Sequence, residues 1–329
     1  MVGWPIQPAD EIPELVMTVF VQFDTSHGCA SHAAISHEEC RERSSSAEGL
    51  ADAAVWSLIE EASLTPKPAL VDERGCGAHC DMNLEMLHRS ARSLRGTFAD
   101  IAGEAWHASE SISLRERLSQ LGREGERNML RTTCGVNTHC GAIWTLGLLC
   151  AGAAMLPEKR NSAGNICERA SRIARLPDSY SSPAKSHGQQ ACQQFGVLGA
   201  RGEAESGFSH ITEIGLPMLK SSRSRGLTEE FARLNALIAI MATLDDTCLL
   251  HRGGLTALAM AKAGAKTILQ LGGSSTPDGF RALCNLDRSL LHLNASPGGS
   301  ADLLAGVLFL DFIERSFDSQ REKIGNVAF

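Results

Sequence analysis

Apolar residues recur at helical spacing along most of this chain. From Glu48 onward they return every three or four positions, as they do on the buried face of an amphipathic α-helix. The clearest apolar stripes lie in 84–101, 114–129, 231–244 and 303–312. The window 142–155 is apolar on every side, which predicts a fully buried helix. Glycines and prolines between the stripes divide the region into roughly ten helices, so we predict an all-α fold with one globular domain.

The beginning and end of the chain do not share this pattern. Residues 25–46 are rich in Ser, His, Cys and Glu without a sustained period, and 19–23 is the one strand-like piece. We therefore expect a poorly ordered N-terminal arm over 1–46. The all-helical domain then covers 47–317, and a polar tail covers 318–329.

Composition excludes several classes of protein. The 329 residues include 31 Lys and Arg against 38 Asp and Glu, a formal net charge of -7, which argues against general binding of nucleic acids. Eleven cysteines, an odd number, do not form the pattern of a secreted disulfide framework. No apolar run reaches the roughly 18 residues that a membrane span needs, and the first residues lack the basic segment of a signal peptide. We expect a cytoplasmic protein that does not bind membranes.

Four polar loops interrupt the helical pattern, at 65–82, 135–142, 244–254 and 296–302. The last three place glycine or other small residues close to the expected start of a helix. Free N–H groups at a helix N-terminus bind phosphate, and glycine lets the ligand approach closely. Several such loops, each beside His, Arg or Asp, favour a polyphosphate ligand, although no Walker loop is present. Ser300 is the expected N-cap of the last helix.

The same loops supply candidate metal ligands. Asp72, Asp81 and Asp246 are carboxylates of the kind that hold Mg²⁺ together with substrate phosphates, with Asp245 as a fourth candidate. Their alternative roles are helix capping or solvent contact. A zinc site built from Cys and His in 76–80 and 134–140 is a weaker alternative, since a chain with a large core does not need one to fold.

Taken together and in order, the polar segments resemble a known family. The motifs at 67–72, 77–82, 135–139, 199–204, 250–254 and 296–304 are similar to those of the triphosphoribosyl-dephospho-CoA synthases, the CitG/MdcB family. The resemblance extends from about residue 48 to 312. It implies an all-helical transferase that joins ATP to the 2′-hydroxyl of 3′-dephospho-CoA and releases adenine.

The resemblance also implies a biological setting. The product would be the precursor of the prosthetic group of malonate decarboxylase or citrate lyase. A holo-acyl-carrier-protein synthase would then attach that group to the acyl carrier subunit, so both are indirect partners.

Chemistry placed on the matched motifs gives each residue an expected role. Cleavage of the adenine–ribose bond passes through an oxocarbenium-like centre and needs an acid, a carboxylate and groups that hold the triphosphate. We expect Asp81 or Asp246 as the carboxylate and His79 or His139 as the proton donor. The expected substrate-binding residues are Lys67, Arg74, Asn137, Arg201, Glu203, His251, Arg252, Gly253, Gly254, Gly298, Gly299 and Ser300. Asp72, Asp81 and Asp246 are the expected ligands of Mg²⁺.

The chain also departs from the family pattern. Ala69 stands where glycine is expected, Cys80 and Cys140 where a basic residue is expected, and Cys248 where asparagine is expected. Two other functions stay open, the first because it would use the same aspartates with Mg²⁺ and the second because of these departures. One is a helical Mg²⁺-dependent N-glycosidase acting on ADP-ribose-like substrates, and the other is a binding protein whose catalytic site has eroded.

Overall fold

The computed structural model describes residues 37–156, 162–180 and 186–325, and within them it contains no β-strand. The helices are α1 (His37–Ser63), α2 (Leu84–Ser93), α3 (Arg95–Ala105), α4 (Ile112–Thr132), α5 (Cys140–Ala154), α6 (Ala163–Arg175), α7 (His187–Phe195), α8 (Gly199–Glu205), α9 (Leu216–Ser224), α10 (Glu229–Met241), α11 (Thr247–Gln270), α12 (Pro277–His292) and α13 (Gly298–Gly325). A π-helical segment, His210–Gly215, leads into α9. For the described residues, the predicted all-α class and single globular domain are confirmed.

The helices outnumber the roughly ten expected because some apolar stripes continue across a break. The stripe at 84–101 is divided at Leu94, which ends α2 and precedes α3. Leu94 is fully buried and still packs with its neighbours in the core. Apolar spacing therefore predicted the buried face correctly but could not show that two helices share it.

Short polar side chains define several helix starts. Asn83, Ser111, Ser162, Ser186 and Thr276 each accept a hydrogen bond from a backbone N–H group in the first turn of α2, α4, α6, α7 and α12 respectively. Such bonds satisfy N–H groups that have no partner within their own helix. Ser300 does not act in this way, because α13 already begins at Gly298 and Ser300 lies inside its first turn.

Helix α5 forms the centre of the core. Nearly every residue from Ala142 to Ala154 is buried, which confirms the buried helix predicted for 142–155. It packs against α1, α3, α4, α6, α8 and α13. Gly152 allows α6 to approach closely, because a Cβ atom at this position would lie 2.5 Å from the backbone oxygen of Ile166. The end of α5 therefore packs closely against α6.

The predicted boundaries at the two ends differ from the helix ends. Helix α1 begins at His37, within the stretch assigned to the N-terminal arm, and α13 continues to Gly325, within the stretch assigned to the tail. The rest of the predicted arm, including the strand-like 19–23, lies outside the described residues. In the part of the chain that is described, no helix combines the length and apolar character needed to cross a bilayer.

Candidate functional site

A cavity of about 1020 Å³ opens between the polar loops and the ends of several helices. Its wall includes parts of the 67–82 loop, α4, the start of α5, α8, the 244–252 segment and the start of α13. The predicted site residues on this wall are Lys67, His79, Asp81, Asn137, His139, Arg201, Glu203, Asp246, His251, Arg252, Gly298 and Gly299. The fold thus brings together residues from all six sequence motifs.

Asp246 ties two helix starts together. As the N-cap of α11, its Oδ1 accepts the N–H groups of Cys248 at 2.9 Å and Leu249 at 3.4 Å. The same carboxylate accepts the Gly299 N–H at 3.3 Å, and both the N–H and the hydroxyl of Ser300, at 2.8 and 2.9 Å. A Cβ atom at Gly299 would lie 3.1 Å from Oδ1, so glycine permits this close approach.

These contacts change the role expected for the glycine loop before α13. The Gly299 and Ser300 N–H groups, expected to face a phosphate, are directed at the carboxylate of Asp246. Ser300 itself does not line the cavity. Burial raises the pKa of Asp246, and the hydrogen bonds from Ser300, Cys248 and Leu249 oppose that shift. This carboxylate is already engaged by protein donors.

The 67–82 loop contains a buried ion pair. The Lys67 ammonium donates to the Glu61 carboxylate and to the Glu61 backbone oxygen, both at 2.6 Å. The exposed fraction of the Lys67 side chain is 1%, and that of Glu61 is 9%. Lys67 therefore neutralises Glu61 in the cavity wall, and two of its three ammonium donors are taken by Glu61.

Asp72 and Arg74 fasten the same loop to α12. Arg74 binds the Asp72 carboxylate through Nε and Nη2, and its Nη1 donates to Asp287 on α12 at 3.0 Å. The other oxygen of Asp287 accepts the Ala69 N–H at 2.7 Å. Neither Asp72 nor Arg74 lines the cavity. The structure places both in loop anchoring, away from the other predicted ligands.

His79 bridges two motifs across the mouth of the cavity. Its Nδ1 lies 2.8 Å from Nη2 of Arg252, and its Nε2 lies 2.8 Å from Oγ of Ser296. A guanidinium can only donate, so Nδ1 accepts and the proton sits on Nε2, which donates to Ser296. Burial lowers the pKa of His79, and the positive charge of Arg252 adds to the shift. Arg252 also donates to the backbone oxygens of Ala78 and Asn294.

His139 lies just before α5 and is buried. Its Nδ1 is 2.8 Å from the Ser90 hydroxyl, which in turn is 2.7 Å from the Thr138 hydroxyl. Burial lowers the pKa of His139 to about 4, with further contributions from Lys67 and His88. The imidazole is therefore neutral near pH 7. Asn137 stabilises the same turn by accepting the Cys140 N–H at 3.2 Å.

Helix α8 contributes Arg201 and Glu203. Glu203 is buried and accepts both the N–H and the Nδ1 proton of His210, at 2.8 and 2.7 Å. Arg201 is largely exposed and pairs with Glu205 at 2.7 Å. Trp144 of α5 donates its indole N–H to the Ala200 backbone oxygen and so attaches α8 to the cavity wall.

The Gly253–Gly254 pair does not precede a helix, as the sequence suggested, but lies within α11. Gly254 has φ 61° and ψ -159°, which interrupts the helix after its first two turns. A Cβ atom at Gly253 would lie 3.2 Å from that of Ala295, so glycine there allows close packing. Neither glycine lines the cavity. His251 lies one turn after the helix start, and its Nε2 is 2.6 Å from Nδ1 of His187.

Asp302 was not among the predicted site residues, although it stands in the last motif. It lines the cavity next to Gly141, where a Cβ atom would collide with its Oδ2. Burial raises the pKa of Asp302 well above the ordinary value, and the nearby carboxylates of Glu61 and Asp246 raise it further. The sequence does contain a signal for this residue: Asp302 is a charged residue close to the start of an apolar helix, directly followed by Leu303 and Leu304.

Two cavity-lining arginines on α4 were also missed. Arg115 and Arg123 are spaced by eight positions, so they share one face of the helix. The guanidinium of Arg115 lies over the Trp144 ring, 5.0 Å from its centroid. Arg123 pairs with Asp178 at 3.1 Å. They were missed because they lie on a regular helix whose polar residues look like an ordinary solvent-exposed face.

Two of the three cysteines at the departures from the family pattern, Cys140 and Cys248, are thiols with raised pKa values. Sγ of Cys140 lies 3.1 Å from the Glu126 carboxylate. Burial and this neighbouring carboxylate both raise the pKa of Cys140. Burial also raises the pKa of Cys248 well above its ordinary value. Cys80 is exposed. The nine cysteines within the described ranges are all free.

The three aspartates expected to bind Mg²⁺ are not brought together. Asp72 is neutralised by Arg74 away from the cavity, the oxygens of Asp246 are taken by five protein donors, and Asp81 is half-exposed near His79. Across the residues that can be described, no group of three His, Cys, Asp or Glu side chains is placed to hold a metal ion. The same finding leaves the alternative zinc site without support. The donor set does not fit a magnesium ion held by this predicted trio.

Comparison with known proteins adds an independent line of evidence. A family model described as ATP:dephospho-CoA triphosphoribosyl transferase matches residues 47–321. A relative from Pseudomonas fluorescens is named a probable 2-(5''-triphosphoribosyl)-3'-dephosphocoenzyme-A synthase and is 53% identical over 269 residues, which cover 82% of this chain and 92% of the relative.

Relatives with the same name occur in other bacteria. One from Pseudomonas aeruginosa is 54% identical over 265 residues, covering 80% of this chain and 90% of its own. One from Azotobacter vinelandii is 52% identical over 275 residues, covering 83% and 94%. No solved structure gives a significant match.

Proposed function

Because this chain belongs to the ATP:dephospho-CoA triphosphoribosyl transferase family, we propose that it transfers the triphosphoribosyl group of ATP to 3′-dephospho-CoA. The observation that carries the proposal is that residues from all six motifs that resemble this family line one cavity. In the reaction, the bond between adenine N9 and ribose C1 breaks, and its electron pair leaves with adenine. The 2′-hydroxyl oxygen of dephospho-CoA forms the new bond to C1, and its proton balances the proton gained by adenine.

We assign the proton donor for adenine to Asp302. A carboxylic acid kept protonated by burial and by neighbouring carboxylates is a recurrent general acid in the cleavage of bonds at a sugar C1. Neither expected histidine has this character. His79 donates its one proton to Ser296, and His139 is neutral and bonded to Ser90. These histidines hold the loops that surround the reacting sugar.

Asp81 is the better of the two carboxylates expected to accept the hydroxyl proton. Its side chain is about half-exposed on the cavity wall, whereas the oxygens of Asp246 already accept five hydrogen bonds. Asp246 positions the start of α13 and with it Asp302, four residues after Gly298. In this assignment Asp81 is a catalytic residue and Asp246 a positioning residue.

Magnesium enters this proposal only as the ion that accompanies ATP. Mg²⁺ is commonly held by substrate phosphates with few protein ligands, so a bound triphosphate does not require a cluster of carboxylates.

The cellular compartment and the enzyme that uses the product are proposed from the same family membership. The protein acts in the cytoplasm, as its free cysteines favour, and its product supplies malonate decarboxylase or citrate lyase through a holo-acyl-carrier-protein synthase.

One assay separates this function from the two alternatives. The protein is incubated with ATP, Mg²⁺ and dephospho-CoA, and free adenine and the product mass are measured. Adenine released only with dephospho-CoA supports the transferase. Release without dephospho-CoA indicates an N-glycosidase, and no release indicates an eroded site.

Two variants test the catalytic assignment in the same assay. We expect Asp302→Asn and Asp81→Asn each to lower kcat by about 10²- to 10⁴-fold, the usual contribution of a general acid or base. Asp278→Asn is the matched control, because Asp278 is exposed, pairs with Arg281 and does not line the cavity. Full adenine release by Asp302→Asn would remove this residue from the acid role.

Deleting the gene distinguishes the two downstream enzymes. The malonate decarboxylase or citrate lyase that loses its prosthetic group in the deletion strain is the one supplied by this protein. Both retaining it would contradict the proposed setting.

A further inference from the structure

The α4 wall of the cavity contains a buried cation that the proposed chemistry has not used. Arg115 is 6% exposed and lines the cavity. Its Nε is buried without a hydrogen-bond partner, and within the described ranges its guanidinium forms no ion pair with a carboxylate. Its Nη1 donates to the Ser119 hydroxyl on the next turn. A buried guanidinium left in this state is costly, so the site is built for an anion that the protein itself does not supply.

The surroundings of Arg115 add positive charge. Its electrostatic neighbours include Arg123 on the same helix face and Arg201 on α8, and all three line the cavity. Two carboxylates balance part of this charge, Asp178 beside Arg123 and Glu205 beside Arg201. Glu126 of α4 is a third carboxylate on this wall. Among the three arginines, Arg115 is the one without a carboxylate partner in the described part of the chain.

The Trp144 ring holds this charge in place. The Arg115 guanidinium lies 5.0 Å from the ring centroid, which is a cation–π distance. Trp144 is itself fixed by its hydrogen bond to Ala200, next to Arg201. The guanidinium of Arg115 is thereby held near Arg201, and a planar guanidinium can bind phosphate oxygens through two parallel N–H groups.

We propose that Arg115, Arg123 and Arg201 form the subsite that binds a polyphosphate chain in this cavity. The inference rests on the proposed function, which brings two such chains to the site: the triphosphate of ATP and the diphosphate of dephospho-CoA. Groups expected from the sequence to do this work are engaged elsewhere, Lys67 with Glu61 and the Gly299 N–H with Asp246. Arg115 has no carboxylate partner within the described residues, and Arg123 and Arg201 lie near it on the cavity wall.

Calorimetric titration with inorganic tripolyphosphate tests the subsite directly. We expect Arg115→Gln to weaken tripolyphosphate binding by about 10- to 100-fold, the range for loss of hydrogen bonds to a charged group. The exposed Arg201 should contribute less, about 2- to 5-fold in Arg201→Gln. Arg127→Gln is the matched control, because Arg127 is also on α4 but is exposed and does not line the cavity.

Separate titrations with ATP and with dephospho-CoA identify which chain occupies the subsite. Weaker binding of ATP alone places its triphosphate there, weaker binding of dephospho-CoA alone places its diphosphate there, and weakening of both places the two chains together. Unchanged affinity of Arg115→Gln for all three ligands, or no binding of tripolyphosphate by the unaltered protein, would overturn the proposal.

Two further measurements keep the result interpretable. Arg115→Lys retains the charge without the planar fork and should recover only part of the affinity, and circular dichroism reports whether each variant is folded. Arg201→Gln changes an exposed side chain, so its binding result stands even if an Arg115 variant unfolds. Tripolyphosphate binding through these arginines without adenine release would keep the subsite and refute the transferase.

Discussion

Replacing Asp246 by asparagine should destabilise the protein strongly, because one carboxylate joins the starts of α11 and α13. It accepts four backbone N–H groups and one hydroxyl. An asparagine can keep its oxygen toward Cys248, Leu249 and Gly299, but its NH₂ group then faces the Ser300 N–H. That N–H loses its acceptor in a buried position.

The size of the effect follows from these contacts. A buried N–H without a partner costs about 1–3 kcal/mol. Loss of a negative charge beside a helix N-terminus costs about 0.3–1 kcal/mol, and here two helices lose it. The sum is about 2–5 kcal/mol, a large part of the 5–15 kcal/mol that separates folded from unfolded states in typical proteins.

Urea denaturation, followed by circular dichroism, measures this difference. Asp245→Asn is the matched control: the same substitution one residue earlier, at a half-exposed side chain paired with Lys262, should cost less than about 1 kcal/mol. Equal midpoints for the two variants at equal m-values would refute the role given to Asp246. A stable Asp246→Asn that has lost only adenine release would return this residue to the catalytic group.

Three further predictions concern other parts of the site. Gly77→Ala should destabilise the protein by at least about 2 kcal/mol in urea titration, since Gly77 has φ 58° and a Cβ there would lie 2.5 Å from the backbone of Ala69 and Leu70. Gly49→Ala is the control: Gly49 lies in α1 with open space around it, so this substitution should stabilise the protein by about 0.5–1 kcal/mol. The pKa of His139 is about 4 in the folded protein and near 6.5 when unfolded, so its stabilising contribution is complete above pH 6.5 and is lost as pH falls toward 4. Unfolding free energies across this range should fall by up to about 1.4 kcal/mol per pH unit, and a His139→Gln variant with the same slope would contradict this. Cys140→Lys should strengthen ATP binding by about 2- to 5-fold at low salt by neutralising the nearby carboxylate; calorimetry showing no gain would disprove it.

The all-α fold could largely be predicted from the sequence, because apolar residues at helical spacing mark the buried face of each helix. The apolar window at 142–155 and the stripes around it predicted the buried faces of α5, α4, α10 and α13. Periodicity indicates which side of a helix is buried, and it does not show where a helix is interrupted. The break at Leu94 and the interruption at Gly254 therefore came only from the structure.

The sequence predicted which loops form the site, but not the role of each residue in it. The motifs correctly indicated that His79, Asp81 and Arg252 belong to one site, since all three line the same cavity. Roles depend on hydrogen-bond partners distant in sequence, and spacing contains no information on these. Thus Lys67, expected at a phosphate, is buried against Glu61. Departures from the family pattern were more informative, since Ala69, where glycine was expected, has φ 54°.

The attachment of the 67–82 loop to α12 has a consequence for how this protein tolerates sequence change. Asp287 holds both Ala69 and Arg74, yet it does not line the cavity. A mutational scan scored on turnover should therefore mark Asp287 as sensitive, as if it touched the substrate. Ligand affinity measured on the folded variants would distinguish residues that support the cavity from residues that contact the ligand. Substitutions on α12 can therefore change the shape of the cavity while every lining residue stays the same.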